Sequence, residues 1–302
     1  FRLYNQGRVL EPALMHVSGD GADFHIKGGG LRYDQTYFAL KAGGINFENT
    51  AKRGLPNIMG LILLCDGVTG QPLAVMDAIY ITFLRTGATT AVAAKYLARS
   101  DSASITICGC GKQGRAHLAA LREVFPALSQ VFAWDVDPKA SRKFAEEAAQ
   151  DPLLRVEAVS DLAQAALQSD IIVTCTPSRQ YYLTREMVRP GTFIGAVGAD
   201  SPNKQELEPA LVASGRLVVD ILEHCAHAGE LHHALDAKLM TPSSVAGDLG
   251  QLVSGKIQGR TSRQDITIYD ATGSAIQDTA AAVLVYQKAL NLKMGVQTDL
   301  FA

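Results

Sequence analysis

Ser104-Ile105-Thr106-Ile107-Cys108-Gly109-Cys110-Gly111-Lys112-Gln113-Gly114 runs an apolar segment straight into glycines at G-x-G-x-x-G spacing, and a helix-forming stretch follows to Val124. A strand before such a loop and a helix after it is the context in which this spacing binds a dinucleotide. Gly109 permits the tight turn, Gly111 lets the main chain approach a pyrophosphate, and Gly114 lets the helix close on the strand. The helix start, expected at Gly114, adds unpaired N–H groups and the positive end of its dipole, and Lys112 and Gln113 lie in the loop just before it. The next apolar run, Gln130–Trp134, ends at Asp135. A carboxylate there accepts hydrogen bonds from ribose hydroxyls and repels a 2′-phosphate, so NAD is the expected cofactor. NADP is the second candidate, because Lys139 lies close by. The bland alternative is a glycine-rich turn with no ligand.

Working outward, the same alternation continues. Pro138–Gln150 reads as a helix, Val156–Ala158 as a strand, and 160–168 as a helix. Ile171–Cys175, Thr192–Val197 and Arg216–Asp220 read as further strands. Near-continuous apolar strands separated by helices predict a parallel sheet covered on both faces. Upstream the pattern differs. Phe38–Ala42, Ile58–Leu64 and Pro72–Met76 read as strands, with turn signals at Asp66-Gly67 and Thr69-Gly70, which suggests a β-meander. Thr86–Leu97 and Gly273–Leu290 are alanine-rich and read as helices. The second is apolar enough to need a partner, and the meander is the expected one.

Composition narrows the function classes. The 302 residues are 47% hydrophobic and 19% charged, ordinary for a globular protein. A net charge of −2, from 28 basic and 30 acidic residues, argues against nucleic acid as a partner and offers no polybasic patch for a membrane. No apolar run reaches the roughly 18 residues needed to span a bilayer. Cys65, Cys108, Cys110, Cys175 and Cys225 are few and odd in number, so a disulfide framework is not expected and a reducing cytoplasm is. The chain starts at Phe1-Arg2-Leu3 without an initiator Met, so a preceding segment is expected.

Several stretches resemble the ornithine cyclodeaminase/mu-crystallin family. They are Asn49…Gly54-Leu55-Pro56, Asp66…Thr69-Gly70-Gln71-Pro72, Arg85-Thr86-Gly87-Ala88-Thr89…Ala94-Lys95-Tyr96-Leu97, the glycine loop, Val197-Gly198-Ala199-Asp200-Ser201-Pro202-Asn203-Lys204-Gln205-Glu206-Leu207, Gly229-Glu230-Leu231, and Asp270-Ala271-Thr272-Gly273…Gln277-Asp278. They run in the same order from about Lys41 onward. The resemblance implies an α/β protein: a Rossmann-type parallel-sheet domain (99–275) plus an N-terminal α+β dimerisation/substrate domain (1–98 with 276–302) completed by the C-terminal helix. It implies hydride exchange between nicotinamide and the α-carbon of a small amino or imino acid, in a homodimer.

Residue roles follow from the same resemblance. Lys41 and Arg85 fall at the substrate carboxylate, and Arg53 near another such position. Asp200 is the catalytic acid that holds the substrate nitrogen, while Lys204 orients the site or contacts cofactor. Thr176, Val197, Gly198 and Asp270 fall with the cofactor residues Gly109, Gly111, Lys112, Gln113, Gly114 and Asp135. Structural alternatives stand beside these. Asp200 could be a helix N-cap next to Pro202, and Asp270 a cap on the last helix. Surface solvation is the alternative for Lys41 and Arg85.

Departures from the family matter. Cyclodeaminases carry a glutamate before the position of Lys41, and here that region reads Phe24-His25-Ile26-Lys27-Gly28-Gly29-Gly30-Leu31, without an acid. Many relatives carry an arginine where this chain has Ala13-Leu14, so one carboxylate contact is missing or replaced, with Lys27 or Arg53 the candidates. The favoured reading is therefore a reductase of small imino acids, such as pyrroline-2-carboxylate, or an alanine-dehydrogenase-like enzyme. An ornithine or lysine cyclodeaminase is the alternative reaction, and a mu-crystallin-like ligand-binding protein the alternative class. His224, His227, His232 and His233 read as surface or helix residues rather than metal ligands, since no H-E-x-x-H is present. Cys110 reads as a small loop residue rather than a nucleophile.

Overall fold

The computed structural model describes residues 1–299; residues 300–302 of the expected dimerisation/substrate segment lie outside the described residues. The chain divides into two compact units, Gln6–Arg85 with the segment from Ser274, and Phe1–Asn5 with Thr86–Gly273. The helix Ala78–Leu97 carries the chain from one into the other.

The first unit is built on an antiparallel meander in sequence order: β1 (Val9–Ser18), β2 (Asp23–Arg32), β3 (Thr36–Ile45), β4 (Ile58–Asp66) and β5 (Pro72–Asp77). The last three follow the apolar runs. β1 and β2 carry weaker signals. Pro12 sits at a register shift in edge strand β1, where a missing N–H is tolerated, and β2 contains Gly28, Gly29 and Gly30. The long helix Ala275–Leu292 lies on one face, where Ala282 and Val283 pack with Tyr37, Ala39, Ile62 and Leu64. Gly29 makes this closeness possible. A Cβ there would stand 3.0 Å from the Cβ of Ala275, and the Thr279 hydroxyl donates to the Gly29 carbonyl at 3.0 Å.

The second unit is a parallel sheet in the order β14-β13-β15-β11-β9-β6-β7-β8. Its strands are β6 (Ser104–Cys108), β7 (Gln130–Trp134), β8 (Arg155–Ala158), β9 (Ile171–Thr174), β11 (Phe193–Ala196), β13 (Arg216–Val219), β14 (Gly247–Asp248) and β15 (Thr267–Asp270). A separate parallel pair joins β10 (Arg179–Leu183) to β12 (Gln205–Leu207). β9, β11 and β15 are buried along their whole length, as a sheet covered on both faces requires. The chain runs from β6 to β7 and β8 on one side, then returns to β9 on the other. β6 is therefore the topological switch point, where ligands bind beyond the carboxyl ends of open α/β sheets.

Helix boundaries differ modestly from expectation. Ala78–Leu97 begins eight residues before Thr86, because the Asp77 carboxylate accepts the Ile79 N–H at 2.8 Å and starts the helix there. Its β-branched first turns hide that start in the sequence.

Candidate active site

In the meander unit, alternate residues of each strand face the long helix. Lys41 on β3 is one of them, and it pairs in register with Lys27 on β2. Both lysines are buried, at 7% and 6% exposure. Asp278, one turn into the helix, meets Lys41 Nζ at 2.8 Å through one carboxylate oxygen and Arg85 Nε at 2.9 Å through the other. Arg85 Nη1 also donates to Gln277 Oε1 at 2.6 Å. Burial pulls the Lys41 ammonium down to about 7; Asp278 opposes that fall, while Arg85 and Lys27 add to it. Burial also pushes the Asp278 carboxyl up, but Arg85, Lys41 and Lys27 together hold it below the usual carboxylate range. Lys41 and Arg85 are thus not solvated surface cations.

Arg53 is not brought to this cluster. It is exposed on the short helix Asn49–Arg53, 3.4 Å from the Asn49 side chain. Sequence reasoning named no role for Asp278. Its signal was an acid set in an otherwise alanine-rich, apolar helix.

In the parallel-sheet unit the glycine loop has the geometry a dinucleotide needs. Gly109 adopts φ +102°, and a side chain there would strike the Cys175 carbonyl. A Cβ on Gly114 would collide with the Gly109 carbonyl and lie 2.9 Å from Ile107. Gly111 is exposed, with nothing within 4 Å of where a Cβ would stand. That open cradle at the head of the helix Lys112–Val124 fits a pyrophosphate. Lys112 is exposed beside it and Gln113 is half-buried. Asp135 follows β7, and its carboxylate accepts the Cys110 N–H at 2.8 Å and the Asp137 N–H at 3.0 Å. It is held against the loop, as a ribose acceptor should be. Cys110 is buried, and burial with the neighbouring Asp135 pushes its thiol up to about 12, which leaves no nucleophilic thiolate.

The loops at the carboxyl ends of β9 and β11 are tied by one buried acid. Glu206 accepts the N–H and hydroxyl of Thr176, both at 2.6 Å, the Tyr182 hydroxyl at 2.8 Å and the Gly198 N–H at 2.9 Å. Glu230 in turn accepts the N–H groups of Glu206 and Leu207. Val197 donates to the Thr174 carbonyl and so continues the β11 register into this loop. Both glutamates sat within matched stretches, but nothing in their spacing marked them as buried ties.

Asp200 pairs with Lys204 at 2.6 Å, with side chains 29% and 17% exposed. It is followed by a turn and β12, not by a helix, so the N-cap alternative fails. Asp270 does not cap the last helix either, since Ser274 holds that position. Its buried carboxylate accepts the Leu231 N–H at 2.9 Å, and burial raises it to about 7. Among the described residues no group of three or more His, Cys, Asp or Glu is placed to hold a metal ion. Cys225, beside the histidines in sequence, is fully buried.

The meander closed by a helix, the Rossmann-like sheet and the cation–carboxylate cluster define a dinucleotide-linked enzyme architecture. The ornithine cyclodeaminase/mu-crystallin family profile matches residues 1–293, and the chain belongs to that family. An alanine dehydrogenase from Archaeoglobus fulgidus is 39% identical over 301 residues, covering 100% of this chain and 91% of the relative. A solved archaeal alanine dehydrogenase dimer with bound NAD has a TM-score of 0.93 at 39% identity, covering 99% of this chain and 91% of that one. Thermococcus litoralis Δ1-pyrroline-2-carboxylate reductase, solved with NADH and L-proline, has a TM-score of 0.93 at 32% identity, covering 98% and 92%.

Proposed function

We propose that this chain is an NAD(H)-dependent oxidoreductase that reduces a small imino acid to the amino acid, or runs the reverse oxidation. The observation that carries this reading is the buried Lys41–Asp278–Arg85 array. Two cations around one carboxylate keep a net positive charge, held in fixed geometry, and suit the α-carboxylate of an amino or imino acid. Fixing that carboxylate orients the α-carbon for reaction. When bound, the nicotinamide supplies or takes the hydride. Lys41, with a pKa near the working pH, can hold or release a proton. The resemblance assigns Asp200 to the substrate nitrogen, and its charged, partly exposed carboxylate suits that role. The glycine loop and Asp135 hold the cofactor, with NAD ahead of NADP.

Cyclodeamination fits less well. Where the resemblance places a cyclodeaminase glutamate, this chain carries the buried Lys27 in its neighbourhood, which repels an ω-ammonium group. A homodimer joined through the meander unit is supported by its apolar exposure. Leu61 and Val75 are 57% and 64% exposed, and edge strand β1 exposes Met15. The five cysteines are free thiols, which suits a reducing cytoplasm. No described helix is long and apolar enough to cross a membrane.

The test follows nicotinamide absorbance with NADH against pyruvate plus ammonia and against pyrroline-2-carboxylate. Consumption of NADH with at least one of them is expected. A protein that binds NADH yet reduces no imine would be a ligand-binding family member instead.

A further inference from the structure

Ser274-Ala275-Ile276-Gln277 has the spacing of a capping box at the head of the helix Ala275–Leu292. In such a box the serine hydroxyl accepts the N–H three residues on, and the glutamine reaches back to the serine N–H. The chain closes a box in this way at Asp248 and Gln251, where both bonds are made at 2.8 and 3.0 Å. At Ser274 it does not. The serine makes no side-chain cap bond, and its Oγ has no partner although the residue is 1% exposed. Gln277 gives its oxygen to Arg85 instead, and its Nε2 has no partner although the residue is 6% exposed. Buried donors are costly to leave unmade. Two unpaired polar groups buried on one helical turn, a hydroxyl and an amide NH2, point to a ligand.

We propose that Ser274 Oγ and Gln277 Nε2 hold a second carboxylate of the substrate, which makes the preferred substrate a short 2-imino dicarboxylate and its amino acid counterpart. This rests on the reading that Lys41 and Arg85 hold the α-carboxylate. One carboxylate offers about four acceptor positions, and those two cations supply charged donors for them. The serine hydroxyl and the glutamine amide add neutral donors beyond that demand. The sign of the field is right for an anion. These donors lie at the positive end of a long helix, on the turn whose Asp278 already feels Arg85, Lys41 and Lys27. The direct contact of Gln277 with Arg85 places the second carboxylate near the first, which limits the chain to about four carbons. In the reaction the protonated imine takes hydride from NADH at its α-carbon. The C=N π pair returns to nitrogen as a lone pair, and NADH becomes NAD+.

Initial rates with NADH and saturating ammonia compare oxaloacetate with pyruvate. The expected kcat/KM favours oxaloacetate by about tenfold or more, and Ser274→Ala lowers that ratio by about tenfold, the loss of one hydrogen bond to a charged acceptor. Calorimetry on the NAD+ complex gives a readout free of turnover: succinate binds more tightly than propionate, and Ser274→Ala shrinks the difference. Pyruvate preferred over oxaloacetate, or an unchanged ratio in a folded Ser274→Ala protein, overturns the dicarboxylate subsite and leaves the oxidoreductase reading intact. If no imine is reduced at all, that reading fails, and the succinate–propionate comparison still decides the subsite.

Discussion

Asp278→Asn removes the single negative charge from a cluster that holds Lys41 at 2.8 Å and Arg85 at 2.9 Å, with side chains 8%, 8% and 2% exposed for Lys41, Arg85 and Asp278. Removing one partner of a buried ion pair costs about 3–5 kcal/mol, because the other charge stays buried and uncompensated. Lys41 can escape by losing its proton, but Arg85 cannot. A loss near the lower bound, about 3 kcal/mol, is therefore expected, and a melting temperature lower by roughly 5–10 °C. The pH dependence gives a sharper signature. Burial pulls Lys41 down to about 7 in the folded protein from its ordinary 10.5, so the unfolded chain binds more protons between those values. The Lys41 contribution to stability thus rises with pH across that window and is least below it. Loss of Asp278 lowers the Lys41 pKa further, by about 1–3 units for an opposite charge at this range. The variant's deficit is then larger at pH 6 than at pH 9. Carboxylate binding, which needs charged Lys41, fades at lower pH than in the unaltered protein. Calorimetric melting at both pH values and pyruvate titration of the NADH complex read these effects. A variant with unchanged melting and an unchanged binding profile would show that Asp278 does not set the charge of the cluster.

Asp135→Ala should weaken NADH binding and narrow the preference over NADPH, read by fluorescence titration; tighter NADPH binding by the unaltered protein would overturn the role of Asp135. Asp200→Asn should fold normally, since its partly exposed pair with Lys204 is worth about 0–1 kcal/mol. It should nonetheless lose about 10²–10³ in kcat, because an amide cannot neutralise a cationic nitrogen. Near-normal turnover would remove Asp200 from the mechanism. Light scattering should give a mass near twice 32.2 kDa, and a monomer at micromolar concentration would refute pairing through the meander.

Legibility in the sequence follows where the chain had to satisfy local rules. β6, its glycine loop and the helix Lys112–Val124 could be read because a buried strand, a positive-φ turn and a close helix approach each demand particular residues at fixed spacing. β1 and β2 were hidden for the opposite reason. A proline edge strand and a run of three glycines have poor strand propensity, and their pairing comes from the sheet around them. Lys41 and Arg85 carried no signal in their own spacing and were marked by family resemblance. Only packing shows that they are buried around a shared carboxylate. Arg53, marked in the same way, stands exposed on its short helix. In the sequence Lys27 stands out only as a substitute for a missing arginine, and the β2–β3 register sets it directly across from Lys41.

The glycines that obscure β2 also help assemble the cluster. Lys27, Gly29 and Leu31 share the face of β2 that looks toward the long helix, by the two-residue period of a strand. With hydrogen in place of a side chain at Gly29, the helix approaches until Ala275 nearly touches the strand, and Thr279 bonds to its carbonyl. Between those two contacts on the helix, two and three residues after Ala275, lie Gln277 and Asp278, and Asp278 reaches Lys41 while Gln277 reaches Arg85. A bulkier residue at 29 would hold the helix off, and Asp278 could no longer meet Lys41 and Arg85 at once. The close approach that costs β2 its strand character is thus what lets one carboxylate order two buried cations, and ordered buried cations are what a small carboxylate substrate needs.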